Sequence, residues 1–340
     1  MSETRYGRAG VDLARAESAK ERIAALLAQG RTANARGKLG GFGGMVRVPS
    51  GFASPVLVMS TDGVGTKVLV ARAAERYSTV GEDLVNHSVN DILVHGAAPL
   101  AFQDYIAGAA LTLEQIESLV EGVARGCRRH EMDLAGGETA EMPGVYREGD
   151  FDLAGTIVGV VEEGKAIHGD AIGPGDILVG YASTGLHTNG YTLARKILFE
   201  EQRLRLEDPL GDTGQSVADA LLALHRSYYS TVFPMLPLVS GLAHITGGGI
   251  PGNLVRVLPE GCKARIESGS WEVPPLFRYL QEVGGISALE MRQVFNLGVG
   301  FIAIAPARHG SALQDQAARA AVRTWIIGEV RKGERSVQFV

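Results

Sequence analysis

The chain has 340 residues, 45% of them hydrophobic, and a formal net charge of −5. That length predicts two domains with enough apolar residues to fill both, and the lack of any basic block argues against nucleic acid as a partner. Two distant cysteines, Cys127 and Cys262, make no metal or disulfide pattern. No apolar run approaches the roughly 18 residues of a membrane span, and the first residues lack a signal-peptide layout, so the expected setting is a reducing cytoplasm and a small-molecule substrate. Glycine is the outlier, with 45 residues in clusters that suggest loops wrapping a ligand.

In chain order, the spacing predicts a helix over Leu13–Leu27, followed by a polar stretch from Gln29 to Lys38. Gly40-Gly41-Phe42-Gly43-Gly44 reads as a lid that closes over a nucleotide, or equally as a bulged edge strand. Pro55-Val56-Leu57-Val58-Met59 reads as a strand. The following Ser60-Thr61-Asp62-Gly63-Val64-Gly65-Thr66-Lys67 reads as a glycine turn ending in a cation. Its backbone N–H groups suit phosphate, Lys67 adds a point charge, and Asp62 fits if Mg²⁺ lies between carboxylate and phosphate. The stretch is neither a Walker A loop nor G-x-G-x-x-G. It also reads as an Asp-Gly hairpin turn with an exposed lysine, and the octapeptide alone does not choose.

A helix is predicted over Asp83–Val94, stopped by Gly96, with His87, Asn90 and Asp91 projecting from one end. Leu100–Ile106 reads as a strand carrying Asp104, and Leu113–Cys127 as a helix opened by a Thr112/Gln115 capping box. Gly136-Gly137-Glu138-Thr139-Ala140-Glu141-Met142-Pro143-Gly144 reads as a second acidic loop after a strand. Phe151–Val161 is a long strand, and the glycines and proline after it mark the domain boundary, placed at 167/168.

The second half opens with strand Ile177–Tyr181 and then Ser183–Gly190, a run of hydroxyls, glycines and His187 before a helix over Tyr191–Phe199. His244-Ile245-Thr246-Gly247-Gly248-Gly249 is another loop of the same kind, and three consecutive glycines are costly to order just to turn a chain. Strands are predicted near Lys263–Ile266, Val299–Ile304 and Trp325–Gly328. The irregular alternation points to an α+β sandwich in each half.

The ordered set Gly40–Gly43, Ser60–Lys67, Val89-Asn90-Asp91, Gly136–Gly144, His187–Tyr191 and Thr246–Gly249 resembles the aminoimidazole ribonucleotide synthetase (phosphoribosylformylglycinamidine cyclo-ligase) family. The match runs from Tyr6 and Ala9–Asp12 to the last strand. One departure is Ala24, where the family carries a lysine, which counts against a phosphate contact from the first helix. The resemblance implies a homodimer whose N-terminal sheets pack together, with a C-terminal α/β sandwich. It also implies ATP-dependent closure of an imidazole ring on a ribonucleotide in purine biosynthesis. Another enzyme of the same ATP-binding superfamily, such as thiamine-monophosphate kinase, is the alternative.

The expected division is an ATP- and Mg²⁺-binding domain over 1–167, with a glycine-rich segment 1–50, and a C-terminal domain over 168–340 that contributes to the substrate cleft. Asp62, Asp91 and Glu138 are the expected Mg²⁺ ligands, with Asp104 and Glu141 in reserve. Gly40, Gly41, Gly43, Gly63, Gly65, Thr66, Lys67 and Asn90 are expected on ATP. Thr184, His187, Asn189 and Thr246, Gly247, Gly248 and Gly249 are expected on the ribonucleotide. His187, Asp91 and Lys67 are the candidate catalytic residues, His187 as general base or binding contact.

Overall fold

The structure, a computed structural model, describes residues 22, 24–28, 30–37 and 41–340. Residues 24–28 are helical. The rest of the predicted Leu13–Leu27 helix except residue 22, the Tyr6 and Ala9–Asp12 matches, and Gly40 lie outside the described residues. Two compact units emerge: one reaches to Ser88 and includes Ala98–Glu162, the other comprises Val89–Ala97 and Glu163–Val340.

In the first unit, β1 (Ala35–Arg36) and β2 (Met45–Val46) form a small antiparallel pair. The main sheet has the order β3-β6-β4-β5, with β3 Pro55–Gly63, β4 Ala98–Gly108, β5 Asp133–Glu141 and β6 Phe151–Glu162. Of its neighbouring pairs, β4–β5 is parallel and β3–β6 and β4–β6 are antiparallel. Helix α1 spans Lys67–Ala73, α2 Tyr77–Leu93 and α3 Leu113–Arg129. One sheet face buries Phe102, Ile106, Leu153 and Ile157, while Leu57, Met59 and Tyr105 stand exposed on the other.

Both predicted acidic loops are corrected. β3 continues through Ser60-Thr61-Asp62 to Gly63, and only Val64-Gly65-Thr66 turns before α1. The run Gly136–Glu141 lies inside β5, because its backbone completes a parallel ladder with β4, from Gln103↔Gly136 to Gly108↔Glu141. Glycine pairs that looked like loop chemistry are therefore ladder residues.

Helix α2 starts six residues before the predicted Asp83. Gly81 hid that first turn, since glycine disfavours helix interiors. Its reason is packing: a Cβ at Gly81 would lie 2.3 Å from the Leu119 carbonyl oxygen, and one at Gly122 would lie 2.1 Å from that of Ser78. The two glycines let α2 and α3 touch backbone to backbone. The α3 capping box is as expected, with Gln115 N–H donating to Thr112 Oγ1 at 3.2 Å and Thr112 N–H to Gln115 Oε1 at 2.8 Å.

The second unit is built on a six-stranded sheet of order β12-β9-β11-β7-β10-β8. Its strands are β7 Asp176–Ala182, β8 Gly241–His244, β9 Cys262–Ile266, β10 Val299–Pro306, β11 Thr324–Lys332 and β12 Ser336–Phe339. Both faces are covered. Ile302 and Ile304 join Leu178, Ile327 and Val330 in one core, and Phe301 and Ala303 join Val179, Tyr181 and Leu313 in the other, which is why β10 is apolar without alternation. The predicted Tyr191–Phe199 helix is α4 (Tyr191–Arg195) continued by a π-helical turn over Lys196–Glu201. β8 and β12 are four-residue edge strands, too short to announce themselves by pattern.

Candidate active site

Asp62 sits near the end of β3 with its side chain 31% exposed; Ser60 Oγ donates to its Oδ2 at 2.7 Å, and His87 Nε2 lies 3.5 Å from Oδ1. This leaves a carboxylate flanked by a hydroxyl, an oxygen-rich setting suited to a hard cation. Asp62, Gly155, Asp104 and Gly137 form one row across the sheet. Directly opposed residues share a face, so Asp104 faces the same side as Asp62, and burial raises its carboxyl to about 7.

Glu138 does not join Asp62. It pairs with Tyr105 and so points from the opposite face, and β6 and β4 separate β3 from β5, a gap of roughly 14 Å at about 4.8 Å per strand. A single chain cannot offer both carboxylates to one ion. The expected Asp62–Asp91–Glu138 shell is corrected for that reason.

Lys67 is corrected too. Its side chain is 0% exposed and its Nζ lies 2.6 Å from Asp83 Oδ2, itself 0% exposed. Burial pushes the ammonium's pKa down, with Asp83 opposing the shift. The lysine is a core cation of the first unit, neither an open phosphate clamp nor the exposed lysine of a hairpin. Gly63 ends β3, and Gly65 and Thr66 remain in the turn before α1. Phe42, between Gly41 and Gly43, projects fully into solvent.

In the second unit, Asp91 Oδ1 is 2.7 Å from His244 Nδ1, with the carboxylate 25% exposed. Asn90, expected on ATP, is fully buried and bound to the protein itself: its Nδ2 donates to the Arg226 carbonyl at 2.8 Å, and its Oδ1 accepts from Tyr228 N–H at 2.9 Å. That expectation is corrected, because the amide's capacity is already used.

His187 occupies a left-handed turn at φ +62 and is 1% exposed. Its Nε2 accepts from Thr184 N–H at 3.3 Å. A ring so placed holds the Ser183–Gly190 loop, and in this conformation its Nε2 lone pair is not open to a substrate proton. At the same loop Thr184 is exposed and Asn189 half-buried. The Thr246–Gly249 loop is organised by Asn253, a residue the sequence reading missed. Its Nδ2 lies 2.8 Å from the Gly249 carbonyl, 3.2 Å from that of Gly247 and 3.3 Å from that of Thr246, and Thr246 Oγ1 donates to its Oδ1 at 3.1 Å. Gly249 N–H also bonds back to the Thr246 carbonyl at 3.1 Å, so the carbonyls are drawn inward and the N–H groups of Gly247 and Gly248 are the ones the loop can offer a ligand.

Residues 45–161 match the N-terminal domain of AIR synthase related proteins and 173–340 match the C-terminal domain. Over 334 residues the chain is 44% identical to the phosphoribosylformylglycinamidine cyclo-ligase of Sorangium cellulosum (strain So ce56), covering 97% of this chain and 96% of that one. The chain belongs to the phosphoribosylformylglycinamidine cyclo-ligase family. Its fold is shared more widely. A thiamine-monophosphate kinase from Stenotrophomonas maltophilia K279a superposes with a TM-score of 0.71 at 19% identity over 94% of each chain. A hydrogenase maturation protein HypE in complex with ATP superposes with a TM-score of 0.66 at 18% identity, over 94% of this chain and 90% of that one. At such identities these two speak for fold alone.

In this cyclo-ligase family member, the segment 223–228 is the part of the site with no sequence signal. It has no regular structure, yet it carries the fully buried His225 and Tyr228. Thr184 Oγ1 donates to the Leu224 carbonyl at 2.5 Å and Tyr228 OH to the Ala182 carbonyl at 3.0 Å, so the segment is strapped to the loop that bears His187.

Proposed function

We propose that this chain closes the imidazole ring of 5-aminoimidazole ribonucleotide from formylglycinamidine ribonucleotide, consuming ATP and releasing ADP and phosphate, in purine biosynthesis. The observation that carries this is identity of 44% with a named cyclo-ligase along 97% of the chain, through both domains. The chemistry is phosphorylation of the formyl amide oxygen, attack of the amidine nitrogen on the activated carbon, and departure of phosphate. An amide oxygen leaves poorly until phosphorylated, and phosphoryl transfer calls for positioning and charge neutralisation rather than a covalent enzyme intermediate. The two cysteines are both buried, and nothing here requires them.

ATP phosphates are assigned to Gly63 at the end of β3 and to Gly65 and Thr66 in the turn after it, with Gly41 and Gly43 in a mobile cover. Asp62 and Asp91 are the carboxylates assigned to Mg²⁺, which when bound neutralises triphosphate charge. Thr184, Asn189 and the Thr246–Gly249 loop are assigned to the ribonucleotide, the Gly247 and Gly248 N–H groups to its phosphate. His187 holds its loop in place, and the proton released on cyclisation can leave with the departing phosphate, a dianion able to accept it near neutral pH. The two functional domains are taken as 1–167 and 168–340. The exposed face carrying Leu57, Met59 and Tyr105 supports a homodimer through the first-unit sheet, and a reducing cytoplasm suits the enzyme. Among the described residues no helix is long and apolar enough to cross a membrane.

The deciding experiment is incubation with ATP, Mg²⁺ and formylglycinamidine ribonucleotide, followed by detection of aminoimidazole ribonucleotide. Phosphorylation of thiamine monophosphate in its place would overturn the assignment. Mg²⁺ titration of Asp91→Asn tests the metal role: an unchanged requirement and rate would remove Asp91 from it.

A further inference from the structure

Three buried imidazoles in the second unit form a continuous column. The His187 and His225 rings stack with centroids 4.0 Å apart at 23°, and those of His225 and His244 meet edge to face at 5.3 Å with their Nε2 atoms 3.2 Å apart. His244 in turn reaches Asp91 at 2.7 Å. The central ring cannot turn. Asn90, whose amide is oriented by the Arg226 carbonyl and Tyr228 N–H, places Nδ2 3.2 Å from His225 Nε2, and Thr188 Oγ1 lies 3.4 Å from His225 Nδ1.

The seat for the column is made by an absent side chain. A Cβ at Gly300 on β10 would stand 2.2 Å from Tyr228 Oη and 2.5 Å from His187 Cε1. Packing that leaves no room for a methyl group, around three imidazoles in contact, is an expensive way to fill a core that leucine would fill better. Retaining it makes sense where orientation matters more than stability.

We propose that His225 is a positioning residue for ring closure, the platform that holds the ribonucleotide loop, through His187, in fixed register with the Asp91 carboxylate, through His244. This rests on the assignment of the 184–189 loop to the ribonucleotide. A flat, clamped ring under His187 fixes that loop's depth and rotation, and misplacement of about 1 Å at a reacting centre can cost on the order of 10²-fold in rate.

The test uses the full-length enzyme, with ring closure followed as aminoimidazole ribonucleotide formed and folding checked by thermal unfolding. His225→Leu is expected to lower kcat/KM for the ribonucleotide roughly tenfold or more. His225→Phe, which keeps a ring face under His187, is expected to recover most of that loss. In a His187→Asn background, His225→Leu is expected to cost nothing further, since the group it holds is already gone. Wild-type kinetics in His225→Leu, additive losses in the double variant, or a Phe variant as poor as the Leu variant would each overturn the inference while leaving a defective His187→Asn as support for the loop assignment. Wild-type kinetics in His187→Asn would instead remove that assignment and this inference with it. Should His225→Leu not fold, His225→Gln, which keeps an amide for Asn90 and His244 but removes the ring, takes its place under the same criteria.

Discussion

Lys67 Nζ and Asp83 Oδ2 meet at 2.6 Å with both side chains sealed from solvent, a charge pair in the core of the first unit. Removing one member leaves the other buried without its counter-charge, which costs roughly 3–5 kcal/mol. Lys67→Met and Asp83→Leu are each expected to lower the unfolding free energy measured in urea by that amount, and the double variant to recover part of it. A Lys67→Met protein of unchanged stability but weakened ATP affinity would restore the phosphate-clamp reading of this lysine.

His130 gives stability an acid limb. Burial, with Arg129 nearby, lowers its pKa from 6.5 to about 4, and its Nε2 lies 3.1 Å from Asn86 Oδ1. The folded pKa is below the unfolded one, so the contribution is present above about pH 6.5 and is lost as pH falls through 4. A shift of about 2.5 units corresponds to roughly 3 kcal/mol. Unfolding free energy of the wild type should therefore fall between pH 6.5 and 4 more steeply than that of His130→Gln, measured by chemical denaturation at each pH.

The α2–α3 crossing is expected to tolerate no side chain. Gly122→Ala places a Cβ 2.1 Å from the Ser78 carbonyl oxygen, far inside van der Waals contact, so the helices must separate. A loss of roughly 1–3 kcal/mol in unfolding free energy is expected. Gly43→Ala, where a Cβ meets nothing within 4 Å, is expected to change stability by less than about 0.5 kcal/mol.

The homodimer assignment is checked on the open sheet face. Met59→Glu and Tyr105→Glu put charge into an exposed apolar surface that the monomer tolerates and a buried interface does not. Sedimentation should show these variants shifted to monomer at micromolar concentration with thermal unfolding still cooperative. Identical oligomeric state in the variants would place any interface elsewhere.

Asn253→Ala is expected to loosen the Thr246–Gly249 loop by removing the amide that gathers its carbonyls. Because the change acts on a ligand loop, the expected outcome is a KM for the ribonucleotide raised roughly tenfold, with KM for ATP little altered. Equal effects on both would detach this loop from the ribonucleotide.

The order of the elements, the α3 capping box, the long strand β6 and the carboxylates near strand ends were legible because they rest on local rules: periodicity, capping and turn chemistry act within a few residues. Family membership was legible for a related reason, since the six motifs keep their order and spacing along the chain. What local rules could not decide was direction and partner. Gly81 hides the first turn of α2 until the opposing backbone at Leu119 is in place. Gly136–Glu141 reads as a loop until β4 offers a ladder, and Lys67 reads as a phosphate ligand until Asp83 meets it in the core. Only the sheet register places Asp62 and Glu138 on opposite faces, and only the fold brings His225, from an unpatterned segment, between His187 and His244. Those decisions depend on residues far apart in sequence, where burial and the satisfaction of polar groups outweigh any local preference.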